Sequence, residues 1–206
     1  MATRVAASTE SRSRVDGRRA WRERNRNAVV DALLDLYMEG ISNPGAQEIA
    51  EKSGVSRRSL FRYFDDMDEM CRVAIERHQE RVSHLFELES LGAGTLTERI
   101  ANIVEQRTRL FETVAPVRRI ARLRAARQPI VASELERSRR VLSRQVEEQF
   151  RAELDAMNPN KRRSMLSAAD VLTSFDAFDV MRSSQGLQPD QIAEVLRTGL
   201  GSLFGA

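Results

Sequence analysis

The sequence predicts an all-α protein of about nine helices, with a three-helix N-terminal domain followed by a larger C-terminal helical bundle. Three observations support this fold class. Arg, Ala, Glu and Leu dominate the 206 residues, and these residue types favour helices. Only five prolines and ten glycines interrupt the chain. Between these interruptions, apolar residues recur at helical spacing. A chain of this length buries about 70% of its unfolded surface, which is enough for a hydrophobic core.

Composition also limits the compartment and the partners. The chain has no run of eighteen apolar residues, and its first 26 residues lack the apolar centre of a secretory signal. A single cysteine, Cys71, excludes an internal disulfide and fits a reducing compartment. We therefore expect a cytoplasmic protein that does not bind membranes. The first 64 residues hold twelve basic and eight acidic side chains, against 21 and 22 in the remainder. The more basic end is expected to meet a polyanion.

Residues 1–20 predict a disordered basic arm, because they are rich in Arg, Ser, Ala and Thr and poor in apolar side chains. Two roles are open for this arm. It either follows DNA phosphates or the minor groove, or it is a solubilising tail. The arginines in question are Arg4, Arg12, Arg14, Arg18 and Arg19.

The most informative segment is Ala46 to Phe64, AQEIAEKSGVSRRSLFRYF. It predicts two short helices joined by a tight turn at Gly54, a residue that tolerates the positive φ of such a turn. Ser56 is a favourable N-cap, so the second helix is expected to begin at Arg57. The inward residues are expected to be Ile49, Ala50, Val55, Leu60 and Phe64. An apolar stripe between Trp21 and Glu39 predicts the helix that supports this pair.

The second helix of this pair is expected to carry a basic, hydrogen-bonding face of the kind that enters a DNA major groove. Arg57 and Arg58 lie in its first turn, where an arginine can donate two hydrogen bonds to guanine. We expect Ser59, Arg62 and Tyr63 to bind phosphates. Lys52 either adds a backbone contact or is solvated. The alternative for the whole segment is an ordinary helical hairpin with solvated arginines.

The run IAEKSGVSRRSLFRYF resembles the signature of the tetracycline-repressor (TetR) family: an Ile-Ala pair, a Gly-Val-Ser turn and an aromatic-x-aromatic-Phe ending. The resemblance is specific over about residues 27–75, and length and helical content extend it to the whole chain. It implies a homodimeric regulator that binds a double-stranded DNA operator. It also implies a variable helical domain that binds a small molecule.

Two positions depart from the family pattern. Phe61, which we also expect among the DNA-binding residues, stands where the family often has tyrosine, so the site lacks a phosphate-binding hydroxyl there. Met67 stands where many relatives have a lysine, and the acidic residues around it are expected to repel phosphate. Those acidic residues are Asp65, Asp66 and Asp68.

Later signals divide the remaining chain. We place the DNA-binding domain at 21–66 and a ligand-binding and dimerisation domain at 67–206. Thr95 and Glu98 form a predicted capping box that opens a helix to about Val114. Pro116 is expected to separate a short arginine-rich helix, Val117 to Ala126, from it. Further helices are expected at 129–156 and 168–184, and from Pro189 to about Phe204.

The resemblance places an effector pocket inside this second domain and the dimer interface on its last two helices. Candidate pocket residues, for which ordinary core packing is the alternative, are Phe86, Phe111, Met165, Leu172 and Phe175. Candidate interface residues, open to the same alternative, are Phe178, Leu196, Leu200, Leu203 and Phe204.

An enzyme is the rival class of function. The two histidines, His78 and His84, are six residues apart and do not share a helix face, so they do not suggest a metal pair. Cys71 has acidic neighbours and no histidine close in sequence, which favours a buried structural thiol over a nucleophile. No glycine-rich phosphate loop is present. We therefore expect no enzyme, metal or cofactor. A DNA-binding protein without an effector remains a third possibility.

Overall fold

The computed structural model describes residues 3–64 and 67–205, with side chains from residue 19 onward except those of residues 67 and 68. The described residues contain helices and no strand. The chain divides into two compact units, Met1–Glu80 and Arg81–Ala206. None of the described helices is both long and apolar enough to cross a lipid bilayer.

The first unit contains four helices: α1 Thr3–Met38, α2 Ala46–Ser53, α3 Arg57–Leu60 and α4 Met67–Val82. The predicted stripe of α1 is buried, from Val29 to Tyr37, and α1 packs against α2. The unit ends inside α4, at Glu80, whereas the sequence places the domain boundary at residue 66. Most of α4 therefore belongs with the N-terminal unit.

α1 differs from its predicted start at Trp21, since its helical backbone begins at Thr3. Helical backbone thus replaces the predicted disordered arm from residue 3 onward. Alanine and arginine in this segment favour continuation of the helix that is packed further along. The side chains of Arg4, Arg12, Arg14 and Arg18 lie outside the described residues. The side chains of Asp65, Asp66 and Asp68, which are expected to repel phosphate, lie outside them as well.

The second unit is a helical bundle. A 3-10 helix, Ser83–Phe86, follows α4, and a π-helical turn, Val180–Ser184, follows α9. The helices of the bundle are α5 Leu96–Ala125, α6 Pro129–Gln149, α7 Arg151–Asp155, α8 Pro159–Leu172, α9 Phe175–Asp179 and α10 Pro189–Phe204. α5 packs against both α6 and α10 and forms the centre of the bundle. Its predicted capping box is confirmed: Thr95 N donates to Glu98 Oε2 at 2.8 Å, and Glu98 N donates to Thr95 Oγ1 at 3.3 Å.

The predicted break at Pro116 is wrong, because α5 is continuous across it. A proline inside a helix removes one backbone hydrogen bond and costs about 3 kcal/mol. Val114, Ala115 and Ile120 are all buried on α5 around this position. Burial of apolar side chains before and after the proline offsets the lost bond.

Other helix ends differ by a few residues. The predicted helix 129–156 divides at Phe150, whose φ of −113° and ψ of 23° depart from helical values. The predicted helix 168–184 comprises the end of α8, α9 and the π-helical turn. α8 and α10 approach closely at Gly199, where a Cβ would lie 2.6 Å from Leu172 Cδ2. Any larger residue at this position would require the Leu172 side chain to move.

Candidate nucleic-acid interface

The turn between α2 and α3 has the predicted geometry. Gly54 has a φ of 69°, in the left-handed region, and ends α2. Ser56 is the N-cap of α3, and its Oγ accepts a hydrogen bond from Ser59 N at 3.2 Å. Val55 and Leu60 are buried, as are Ile49 and Ala50 on α2. These contacts hold α3, only four residues long, at a fixed angle to α2.

The outer face of α3 is basic. Arg57, Arg58 and Arg62 are exposed, and Ser59 is partly exposed. In the part of the chain that the structure describes, Arg57 and Arg58 have no acidic partner. Their guanidinium groups therefore face solvent as uncompensated positive charge, available to base edges or phosphates.

Tyr63 was expected on this outer face, and the structure places it in the core instead, with 3% of its surface exposed. Its hydroxyl oxygen accepts a hydrogen bond from Asn25 Nδ2 of α1 at 3.0 Å. The helix ends at Leu60, and residues 61–63 form a turn, so helical spacing no longer applies to Tyr63. Tyr63 supports the site from within and is not available to phosphate.

Lys52 is also occupied within the protein, since its Nζ lies 2.5 Å from Glu39 Oε1. Both side chains are partly exposed, so the pair is worth at most about 1 kcal/mol. The sequence left Lys52 open between a DNA contact and a solvated lysine, and the structure gives it an intramolecular partner.

α1 contributes arginines that sequence reasoning did not assign to the site. Arg22 Nη2 donates to the carbonyl of Arg62 at 3.3 Å, just after α3. Arg26 pairs with Glu69 of α4 and lies over the Phe64 ring, 5.3 Å from its centroid. Arg22 and Arg26 are four residues apart on α1, so they share one face of the helix. That spacing is the sequence signal that could have identified them.

A second ion pair connects α1 to α4. Arg77 donates from Nε to Asp31 Oδ1 at 2.8 Å and from Nη2 to Asp31 Oδ2 at 3.0 Å. Hydrogen bonds from Arg77 to Asp31 and Glu80 raise the pKa of the Arg77 guanidinium above its ordinary value. The bidentate geometry connects α4 to α1.

We expect Ser56→Ala to lower the free energy of unfolding by about 1 kcal/mol, because Ser59 N then loses its capping acceptor. Ser42→Ala is the matched control, since Ser42 is an exposed serine in the preceding turn. It should change stability by less than about 0.5 kcal/mol. Urea denaturation of both variants measures the difference. Equal losses in the two variants would contradict the capping role.

The five candidate ligand residues come together in the apolar core of the second unit. Phe111 and Phe175 are fully buried, with ring centroids 5.6 Å apart. Phe86, Met165 and Leu172 are partly buried and pack against the same core. A separate pocket of about 290 Å³ opens beside α5, and its lining includes one core aromatic, Phe178. The other lining residues are Glu112, Ala115, Pro116, Arg119, Arg182 and Ser183.

Ion pairs line this pocket. Arg182 Nε lies 3.1 Å from Glu112 Oε1, and Arg119 Nε lies 2.7 Å from Asp179 Oδ1. Arg119 also donates to Ser183 Oγ at 2.9 Å. Among the described side chains, no group of three His, Cys, Asp or Glu residues could hold a metal ion.

The residues predicted for the dimer interface pack inside one protomer. Phe178, Leu196 and Leu200 are fully buried in its core. Leu203 and Phe204 are partly buried against that core, and Phe204 stacks on Phe150 with centroids 4.3 Å apart. These terminal helices are apolar because they complete the bundle. Their outward apolar residues are different ones: Val171, 61% exposed, and Val195, 42% exposed.

Comparison with known proteins agrees with this geometry. Residues 30–73 match the family model of bacterial regulatory proteins of the tetR family. A solved structure described as a TetR-family transcriptional regulator from Rhodococcus sp. superposes with a TM-score of 0.59 at 14% identity, covering 87% of this chain and 98% of that one. A transcriptional regulator from Streptomyces coelicolor A3(2) gives a TM-score of 0.53 at 19% identity, covering 88% and 99%.

At these identities the two structures establish the shared fold. No curated protein matches the sequence significantly. The family match covers α2, α3 and the buried parts of α1 and α4 that support them. Residues 30–73 therefore match the tetR family of bacterial regulatory proteins over the helix-turn-helix, and the chain as a whole shares the fold of these two regulators.

Proposed function

We propose that this protein is a transcriptional repressor of the TetR family that binds a palindromic DNA operator as a homodimer and is released by a small polar molecule. The observation that carries the proposal is the exposed basic face of α3, with Arg57 and Arg58 in the first turn after a capped N-terminus. Side chains in this turn are the ones that reach base edges when a reading helix enters the major groove.

The small size of α3 argues for a dimer. One short helix covers only a few base pairs, which is too little specificity for a genome. Two copies related by a two-fold axis read two half-sites and require an inverted repeat. We place the dimer contact on the outward faces of α8 and α10, which carry the exposed Val171 and Val195. These two helices pack directly against each other, so together they offer one continuous surface.

We place the effector in the pocket beside α5. Its volume of about 290 Å³ suits a small ligand. The apolar residues of its lining are Ala115, Pro116 and Phe178, while Arg119 and Arg182 offer hydrogen-bond donors. A polar ligand there would compete with the ion pairs to Asp179 and Glu112 and so shift the packing of α5 against the π-helical turn. The ligand releases the protein from DNA only if it binds more tightly to the shifted packing of α5 than to the packing of the DNA-bound protein.

Selection of binding sequences from random duplex DNA, with the full chain, tests the proposal. We expect an enriched inverted repeat, two chains bound per duplex, and much weaker binding to a duplex carrying one half-site. Enrichment of a sequence without symmetry would contradict the dimer. If no sequence is enriched and affinity depends only on salt concentration, the protein is a non-specific DNA binder.

A further inference from the structure

Phe61 is the most exposed aromatic residue among those the structure describes, with 68% of its surface accessible. It directly follows α3, and its φ of −67° and ψ of −4° lie in the right-handed region. Phe61 is four residues after Arg57 and three after Arg58, and all three side chains are exposed. A large apolar ring is thus exposed close to the positive charges of Arg57 and Arg58.

Polarity alone would place Tyr63 at the surface and Phe61 in the core, and the structure shows the opposite. Tyr63, which has a polar tip, is buried, and its hydroxyl needs Asn25 of α1 as a hydrogen-bond partner. Phe61, which has none, is outside. Exposing a phenyl ring forfeits its burial in the core. The arrangement leaves an apolar ring exposed close in sequence to Arg57 and Arg58, at the end of the helix that is expected to enter the major groove.

DNA offers few apolar groups to such a ring. Phosphates provide hydrogen-bond acceptors that phenylalanine cannot use. In the major groove, the apolar group presented by base edges is the C5-methyl of thymine. We propose that Phe61 contacts a thymine methyl in each half-site and thereby determines sequence preference beside the bases read by Arg57 or Arg58. The inference rests on the proposed function, since it requires α3 to lie in the major groove.

Replacement of thymine by deoxyuridine tests the proposal, because it removes only the methyl group. In the selected operator, each symmetry-related pair of thymines is replaced in turn, and affinity is measured with the full chain. We expect one pair at which the wild-type protein loses about fourfold in affinity per methyl, or about 15-fold for both half-sites, as expected for one buried methyl each. With Phe61→Ala, the same replacement should have no effect.

Leu123→Ala is the matched control, since Leu123 is an exposed apolar residue of the other unit, 74% accessible. It should retain wild-type affinity and the wild-type response to deoxyuridine. Circular dichroism checks that both variants fold. The proposal is overturned if every deoxyuridine replacement affects wild type and Phe61→Ala equally. It is also overturned if Phe61→Ala weakens binding equally to all sequences, as expected for a ring resting on deoxyribose. Failure to select any operator would instead refute the proposed function itself.

Discussion

We expect at least one of the single variants Arg57→Ala and Arg58→Ala to bind the operator about 5- to 140-fold more weakly per half-site. This range corresponds to the 1–3 kcal/mol of discrimination that a bidentate arginine–guanine contact provides. Both side chains are exposed in the first turn of α3, and neither has an acidic partner among the described residues. No intramolecular ion pair needs to break before they meet a base.

Arg62→Ala is the control that separates base readout from attraction to the backbone. Arg62 is exposed after the end of α3, and its own carbonyl is held by Arg22. We expect its loss to weaken all sequences about equally and to reduce the salt slope by about one. Binding of each variant to operators with single base changes, at several salt concentrations, measures the difference. If Arg57→Ala and Arg58→Ala also weaken all sequences equally, both arginines bind phosphate and the readout assignment is wrong.

The helix-turn-helix could be predicted because its signals are local. Gly54 for the left-handed turn, Ser56 for the cap, and Ile49, Ala50 and Leu60 for the shared core all lie within a dozen residues. Each carries a conformational preference that does not depend on distant contacts. The burial of Tyr63 could not be predicted from local signals. It depends on where α3 ends and on Asn25, 38 residues earlier in the chain.

The C-terminal unit shows where sequence reasoning is insufficient. An apolar face on α10 predicts burial, but the pattern alone does not distinguish the protomer's own core from a second copy. Leu196 and Leu200 meet the core of their own chain. Pro116 was expected to end a helix, and tertiary packing on both sides of it overrides that local preference.

The interior polar residues were missed as well. Arg99, Gln106, Arg107 and Gln149 are buried, although such residues are usually at the surface. A charged residue in a helical pattern predicts a solvated face. Only the structure shows that Arg99, Gln106 and Arg107 of α5 and Gln149 of α6 face the interior of the bundle.

Arg107 is fully buried between α5 and α6, and no acidic group forms a salt bridge with it among the described residues. Its Nη1 donates to Gln145 Oε1 at 2.9 Å and also to Gln106 Oε1, and its Nη2 donates to the carbonyl of Leu142 at 2.9 Å. Burial lowers the pKa of the guanidinium to about 9, and the charge of Asp170 opposes this shift. Arg107 therefore remains charged at neutral pH, stabilised by neutral acceptors.

The two glutamines extend this network to the 3-10 helix. Gln106 Nε2 donates to the carbonyl of Leu85 at 2.7 Å, and Gln145 Nε2 donates to that of Phe86 at 2.6 Å. Because Arg107 binds the oxygen of each amide, it turns both NH2 groups toward these carbonyls. One buried cation thus sets the orientation of two side chains that anchor the residues following α4.

Arg107→Ala is expected to lower the free energy of unfolding by about 3–5 kcal/mol, because it removes the donor to Gln106, Gln145 and Leu142 and opens a cavity. Arg107→Met retains most of the apolar volume and removes the buried charge, so its loss should be less than half as large. Arg109→Ala, an exposed arginine on the same helix, should change stability by less than about 0.5 kcal/mol. Urea denaturation followed by circular dichroism compares the three variants. If Arg107→Ala is no less stable than Arg109→Ala, the guanidinium does not organise this core.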